Sequence, residues 1–230
     1  HNNLSGDVAA VRLEEGGSVS FWGQRELQAD PALGMGDTSL GSQKVTIAAS
    51  NEYDGAGGNV YGILNTRGDI HLGADTTRIE VFNKGVNREN VKVGDETVDV
   101  TSHAIGIYNS GGVLENRSDL VIATGNAAIR QENGTGDGET VSTGEGVTVG
   151  LFNATYTDRS EKPGFDPRGA SVDSTGSVTM DLQAERQVFG LMQMHEETSS
   201  TFAGETRIAA SSAGAEAYGV FATEKTWAGF

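Results

Sequence analysis

The hexapeptide Val60-Tyr-Gly-Ile-Leu-Asn65 recurs along the chain, and this recurrence decides the fold. Close copies are Ala104-Ile-Gly-Ile-Tyr-Asn109 and Thr148-Val-Gly-Leu-Phe-Asn153. Weaker copies are Val188-Phe-Gly-Leu-Met-Gln193 and Ala217-Tyr-Gly-Val-Phe-Ala222. An internal repeat of this kind is typical of solenoids, in which each repeat buries its apolar face against its neighbours.

The spacing of the copies predicts the size of each repeat. Their central glycines are Gly62, Gly106, Gly150, Gly190 and Gly219, so successive copies lie 44, 44, 40 and 29 residues apart. A degenerate earlier copy is expected around residues 21–23. Between the first two glycines, four short alternating segments have the pattern of β-strands: Asp69–Leu72, Ile79–Val81, Val91–Val93 and Val98–Val100.

These segments are separated by Gly, Asn and Asp, which indicate sharp corners. Three strands per coil and two coils per 44-residue repeat therefore predict an all-β fold, a right-handed parallel β-helix (a solenoid) with one or two loop insertions. At roughly 4.8 Å per coil, about ten coils would form a rod about 50 Å long.

Strand alternation predicts which positions face the core, if positions are counted from the glycine of each copy. Positions −1 and +1 are apolar in every copy and share parity, so both are expected to point inward. The −1 residues are Tyr61, Ile105, Val149, Phe189 and Tyr218. The +1 residues are Ile63, Ile107, Leu151, Leu191 and Val220. Position +3 has the same parity and carries Asn65, Asn109 and Asn153, which predict a structural ladder of buried amides at a corner.

Position +2 carries Leu64, Tyr108, Phe152, Met192 and Phe221. Strict alternation turns these side chains outward, where a stacked apolar stripe would mark an interaction surface. The alternative, which we prefer from the sequence, is that the chain turns at this position and tucks the side chains inside or under a loop. Tyr108, Phe152 and Phe221 are binding candidates if the stripe is exposed.

The repeats VYGILN, AIGIYN and TVGLFN resemble the passenger regions of Gram-negative autotransporters over residues 58–230. The resemblance implies a secreted β-helix, carried to the bacterial cell surface through the outer membrane. It also implies a role in adhesion or cell–cell aggregation. The family's membrane-embedded β-barrel anchor is not recognised in this chain and is expected elsewhere in the full protein. The expected partners are a host surface protein or glycan, or copies of the protein on other bacterial cells.

We expect a single domain over residues 1–230, with irregular or degenerate coils in 1–57 and regular repeats in 58–230. Residues 156–169 contain two of the three prolines and are expected to form a protruding loop. Insertions in solenoids often map to the binding face. The charged candidates for binding in this loop are Asp158, Arg159, Lys162, Asp166 and Arg168.

Composition excludes several classes of function. The formal net charge of −16 disfavours binding to nucleic acid or to an anionic membrane surface. The chain contains no Cys, and so neither disulfides nor thiol catalysis. No apolar run approaches the 18 or so residues that a membrane-spanning helix requires, and no signal peptide is recognised.

Isolated motifs carry little further information. Arg67, Gly68 and Asp69 form the tripeptide that integrins recognise, but a turn is expected at this place in any case. The four His are scattered, so we expect no metal site and no cofactor. Catalysis is not expected, although a polysaccharide lyase or hydrolase that uses carboxylates such as Asp166, Asp173 and Asp181 is one alternative. A passive stalk that displays another domain is a further alternative.

Overall fold

The computed structural model describes residues 6–23, 42–52, 58–85, 88–93, 96–126, 146–156, 169–184, 186–214, 216–223 and 226–230. In these residues the secondary structure is entirely β, and it forms three parallel sheets and one hairpin. The predicted parallel β-helix is confirmed. Within the described ranges, no helix is long and apolar enough to cross a membrane.

Each coil contributes one strand to each sheet. The first sheet contains β1 (Val8–Leu13), β4 (Val60–Thr66), β9 (Ala104–Ser110), β12 (Val147–Ala154), β15 (Gln187–Met194) and β18 (Glu216–Ala222). The second contains β2 (Ser18–Trp22), β5 (Asp69–Gly73), β10 (Val113–Asn116), β13 (Ser171–Ser174), β16 (Ser199–Phe202) and β19 (Trp227–Gly229). The third contains β3 (Lys44–Asn51), β6 (Thr76–Asn83), β11 (Asp119–Asn126), β14 (Val178–Ala184) and β17 (Thr206–Ser212). The hairpin pairs β7 (Arg88–Val93) with β8 (Glu96–Val100).

The core consists of aliphatic side chains stacked in register from coil to coil. Ile63 pairs with Ile107, Ile107 with Leu151 and Leu151 with Leu191, and each of the four is at most 1% exposed. Residues of the second and third sheets, such as Ile70, pack into the same cluster. A narrow core of this kind needs few apolar residues per coil, because each side chain is covered by its equivalents in the coils on either side.

The expectation of two coils in each 44-residue repeat is wrong. Strands β4 and β9 hydrogen-bond to each other directly, so one repeat is one coil plus an excursion. The segments Val91–Val93 and Val98–Val100 do form strands, but they pair antiparallel as the β7–β8 hairpin, outside the three sheets. The described residues contain five complete coils and two strands of a sixth, a stack about 25 Å tall at roughly 4.8 Å per coil.

The first copy of the repeat lies earlier than expected. Strand β1 pairs in register with β4, with Val8 opposite Val60 and Val11 opposite Ile63. Phe21 belongs instead to β2 and lies opposite Leu72 in the second sheet. The first copy is therefore Val8–Leu13 and not residues 21–23. It is hard to recognise in the sequence because Ala10 stands where the later copies have glycine.

The −1 residues do not face the core, and the reason is the glycine. In β9, Ala104 and Ile107 belong to the core cluster, whereas Ile105 belongs to a separate apolar cluster. A Cβ placed on Gly106 would meet Ile122 of β11 at 2.5 Å, so Gly106 also points inward. Two consecutive residues, the glycine and its successor, therefore face the core, and the alternation changes phase at every copy. Positions −1 and +2 both lie on the outer face.

Candidate functional site

The second apolar cluster forms a stripe on the outer face of the first sheet, which we call the outer stripe. Its buried members are the −1 residues Tyr61, Ile105, Val149 and Phe189. Partly buried side chains pack against them: Leu64, Tyr108, Phe152, Met192, Tyr218 and Phe221. No side chain of this set is charged. With Ala9 of β1 at one end, the outer stripe crosses all six strands of the first sheet.

Aromatic rings within the outer stripe contact one another from coil to coil. The rings of Tyr108 and Phe152 stack with centroids 4.7 Å apart, and those of Phe189 and Tyr218 stack at 5.2 Å. Phe221 meets Phe189 edge to face at 5.5 Å. Both geometries are favourable for aromatic pairs. The stacking follows from the parallel register, which places each side chain over its equivalent in the adjacent coil.

The +2 residues have the orientation that strict alternation predicts: they lie on the outer face of the first sheet, so the expectation that they tuck inside the coil is wrong. Tyr108, Phe152 and Phe221 pack with the outer cluster rather than with the core, and each is half-buried. Burial raises the pKa of Tyr108, and it also raises the pKa of Tyr61. These phenols therefore stay neutral over the ordinary pH range, and the outer stripe remains uncharged.

The +3 asparagines form a buried ladder along one corner of the solenoid. Asn65 donates to the side-chain oxygen of Asn109 at 2.8 Å, and Asn109 donates to that of Asn153 at 2.9 Å. Asn65 also caps its own corner, because its Oδ1 accepts from Gly68 N–H at 2.9 Å. The amides are fully buried and their partners belong to the turns, so this ladder is structural.

A second asparagine ladder, which the sequence analysis missed, follows the third sheet. Asn51 and Asn83 end adjacent strands, and the Asn51 amide donates to Asn83 Oδ1 at 3.1 Å. The next member, Asn126, donates to the carbonyl of Ser102 at 2.6 Å. The signal was present as an Asn at the end of the first three strands of the third sheet, β3, β6 and β11, but their unequal spacing in the sequence conceals it.

His103 lies at the corner that leads into β9. Its Nδ1 accepts a hydrogen bond from the Val147 N–H at 3.0 Å, which requires an unprotonated nitrogen. Burial lowers the pKa of His103, and the nearby carboxylate of Asp7 opposes that shift to a smaller extent. The imidazole is therefore a neutral structural acceptor.

The integrin-like tripeptide is a corner of the coil. Arg67 has a positive φ of 64°, Gly68 is buried, and Asp69 begins β5. The guanidinium forms an ion pair with Glu15 and lies 5.3 Å from the ring centroid of Tyr156, and only 23% of the Arg67 side chain is exposed. Because the cation is engaged by its own fold, this geometry favours a structural role for Arg67.

The charged candidates of the expected loop, Asp158, Arg159, Lys162, Asp166 and Arg168, lie outside the described residues.

Two of the three carboxylates considered for catalysis lie in the described residues, and they belong to different sheets. Asp173 is in β13 of the second sheet and Asp181 is in β14 of the third, whereas Asp166 lies outside the described residues. In the part of the chain that the structure describes, no three His, Asp or Glu side chains are grouped so that they could hold a metal ion.

Comparison with protein-family models, curated protein sequences and solved structures found no match to this chain.

Proposed function

We propose that this chain is a bacterial surface passenger domain of the autotransporter type, and that it mediates cell–cell aggregation by self-association. The observation that carries this proposal is the outer stripe, an uncharged apolar surface on a chain whose net charge is −16. Contiguous apolar surface on an acidic rod supports a role as a contact surface. The parallel β-helix and the absence of Cys are compatible with a secreted passenger.

A second copy of the chain is the partner that the outer stripe fits best. Two stripes meeting face to face form an isologous contact, in which the same apolar side chains face each other. The acidic surfaces of two copies repel each other elsewhere on the molecule. Two copies can contact each other through the outer stripe without bringing like charges together. Each coil adds one similar row of contacts, and many weak contacts between two arrays of displayed rods give a strong overall attachment.

The test displays the chain on non-adherent bacteria and measures how fast the cells settle. We expect cells that display the parent chain to aggregate and settle. The triple variant Tyr108→Ser, Phe152→Ser and Phe221→Ser should abolish settling, because it removes three of the four half-buried aromatic side chains of the stripe. Val121→Ser is the matched control: it also replaces a half-buried, outward-facing apolar residue, but on the third sheet.

Equal settling of the triple variant and the parent, at equal surface expression, would refute the role of the outer stripe. Absence of aggregation in the parent would favour the passive stalk. Binding of the same displayed cells to host cells, without settling, would favour a host protein or glycan as the partner.

Salt distinguishes this mechanism from adhesion through charge pairs. Raising the ionic strength from about 0.05 M to about 0.5 M shortens the Debye length from roughly 14 Å to roughly 4 Å and screens the repulsion between acidic rods. Because the attraction itself is apolar, we expect aggregation to become stronger in high salt. Adhesion through ion pairs would weaken under the same change.

A further inference from the structure

A shallow groove of about 350 Å³ lies on the outer face of the third sheet, away from the outer stripe. Its floor consists of small side chains, among them Ala48, Ser50 and Ala123. One aromatic residue, Phe82, and one carboxylate, Glu80, also line it. The volume falls in the range of small-molecule sites.

Phe82 stands at one end of the groove. Its neighbour in the next coil is Gly125, and a Cβ placed there would meet the edge of the Phe82 ring at 3.4 Å. The edge of the Phe82 ring therefore lies directly beside the Gly125 backbone. The ammonium of Lys84, which directly follows β6, lies 5.9 Å from the ring centroid and forms an ion pair with Glu52 at 3.0 Å. The ring is thus supported on two sides.

Two carboxylates lie on the register row that runs through the groove along the axis of the solenoid. Glu80 stands inside the groove, between Ala48 and Ala123, and Asp181 lies one coil beyond Ala123, outside the lining. Glu80, Ala123 and Asp181 occupy one register row in three successive coils, so the two acids lie roughly 10 Å apart with the small Ala123 between them. The Glu80 carboxylate accepts a hydrogen bond from the Arg78 guanidinium, which orients it, and its side chain is still 45% exposed. Asp181 is exposed.

We propose that this groove binds a neutral oligosaccharide along the axis of the solenoid. A sugar ring has an apolar face that packs on an aromatic side chain, and hydroxyls that donate to carboxylates and to the Ser50 hydroxyl. The small side chains of the floor leave room for a flat ring beside Phe82. The net charge of −16 opposes anionic glycans, and Arg78 already pairs with the Glu80 carboxylate, so an uncharged ligand fits the groove best. This site is independent of self-association through the outer stripe.

The experiment titrates the purified chain with cellohexaose, maltohexaose, chitohexaose and mannohexaose, and with a heparin hexasaccharide as the anionic probe. Calorimetry is performed at low salt, where self-association is weakest. We expect at least one neutral hexaose to bind and the heparin fragment not to bind. Phe82→Leu should weaken the binding about fivefold to tenfold, because it retains an apolar side chain but removes the ring. Glu80→Gln should weaken it about fivefold, since it replaces a charged acceptor by a neutral one.

Two further variants keep the outcome interpretable. Phe152→Leu makes the same substitution in the outer stripe and should leave sugar binding unchanged. Gly125→Val adds methyl groups beside the Phe82 ring and should weaken binding without replacing Phe82 itself. Far-ultraviolet circular dichroism establishes that each variant is folded. The proposal is overturned if no neutral hexaose binds, if the heparin fragment binds more tightly than all of them, or if Phe82→Leu binds as tightly as the parent.

Discussion

Replacement of Gly106 by alanine tests the packing that holds adjacent coils together. A Cβ at this position would lie 2.5 Å from the carbonyl oxygen of Gly150 and 2.5 Å from the Cγ2 of Ile122. Both distances are 0.9 Å inside the 3.4 Å at which ordinary contact begins (3.4 − 2.5 = 0.9). The φ angle is not positive, so the requirement for glycine here comes from space rather than from backbone conformation.

The magnitude follows from two opposing effects. Overpacking a well-filled core costs about 3 kcal/mol when the obstructing atom belongs to a paired strand that cannot move without disturbing its hydrogen bonds. Alanine restricts the unfolded chain more than glycine does, and this effect stabilises the folded state by about 0.7 kcal/mol. We therefore expect Gly106→Ala to lower the free energy of unfolding by about 2 kcal/mol and the thermal midpoint by about 4–8 °C.

Gly219→Ala is the matched control, because no atom lies within 4 Å of the Cβ that it would add. Only the effect on the unfolded chain remains there, so this variant should be more stable than the parent by about 0.7 kcal/mol. Urea and thermal unfolding, followed by circular dichroism, measure both variants. If the Gly106 and Gly219 variants unfolded at the same midpoint, close approach between coils would not be the reason for the glycines.

Two further predictions concern buried polar groups. Asn109→Ala should lower the free energy of unfolding by about 2–4 kcal/mol, because it leaves the Asn153 Oδ1 and the Ser171 carbonyl without the donor they share. Urea unfolding measures this loss, and a loss below about 1 kcal/mol would show that the ladder adds little to stability. The neutral His103 holds fewer protons in the fold than in the unfolded chain, so its contribution is complete above about pH 6.5 and is lost as the pH falls below that value, by up to about 1.4 kcal/mol per pH unit. His103→Gln keeps a hydrogen-bond acceptor for the Val147 N–H but does not titrate. It should therefore reduce the pH dependence of the free energy of unfolding between about pH 6.5 and pH 5, and an unchanged pH dependence would contradict this assignment.

The sequence was sufficient for the fold class and for the first asparagine ladder. Both rest on features that recur within each coil: the apolar +1 residues, such as Ile107, and the amide two positions later. Stacking in register turns such a local pattern directly into a column, so no long-range information is needed to place Asn65, Asn109 and Asn153 beside one another.

The number of coils could not be read in the same way. Val91–Val93 and Val98–Val100 have the alternation of coil strands, but a strand in a hairpin and a strand in a coil bury one face alike. The two kinds of strand differ in the strand with which they pair, and the local sequence pattern does not predict that partner. The 29-residue spacing between Gly190 and Gly219 is the one interval that approximates a bare coil, and it was the better guide to coil length.

The outer stripe and the glycine column have a common origin. Because Gly106 and Ile107 both point inward, the outward residues on either side of them, Ile105 and Tyr108, are three positions apart rather than two. Each copy therefore places two apolar side chains outside and still supplies two positions to the interior. A side chain at the glycine would disturb coil stacking and the phase of the outer residues together. We therefore expect Gly106→Ala to weaken aggregation as well as stability, whereas Gly219→Ala should leave aggregation intact.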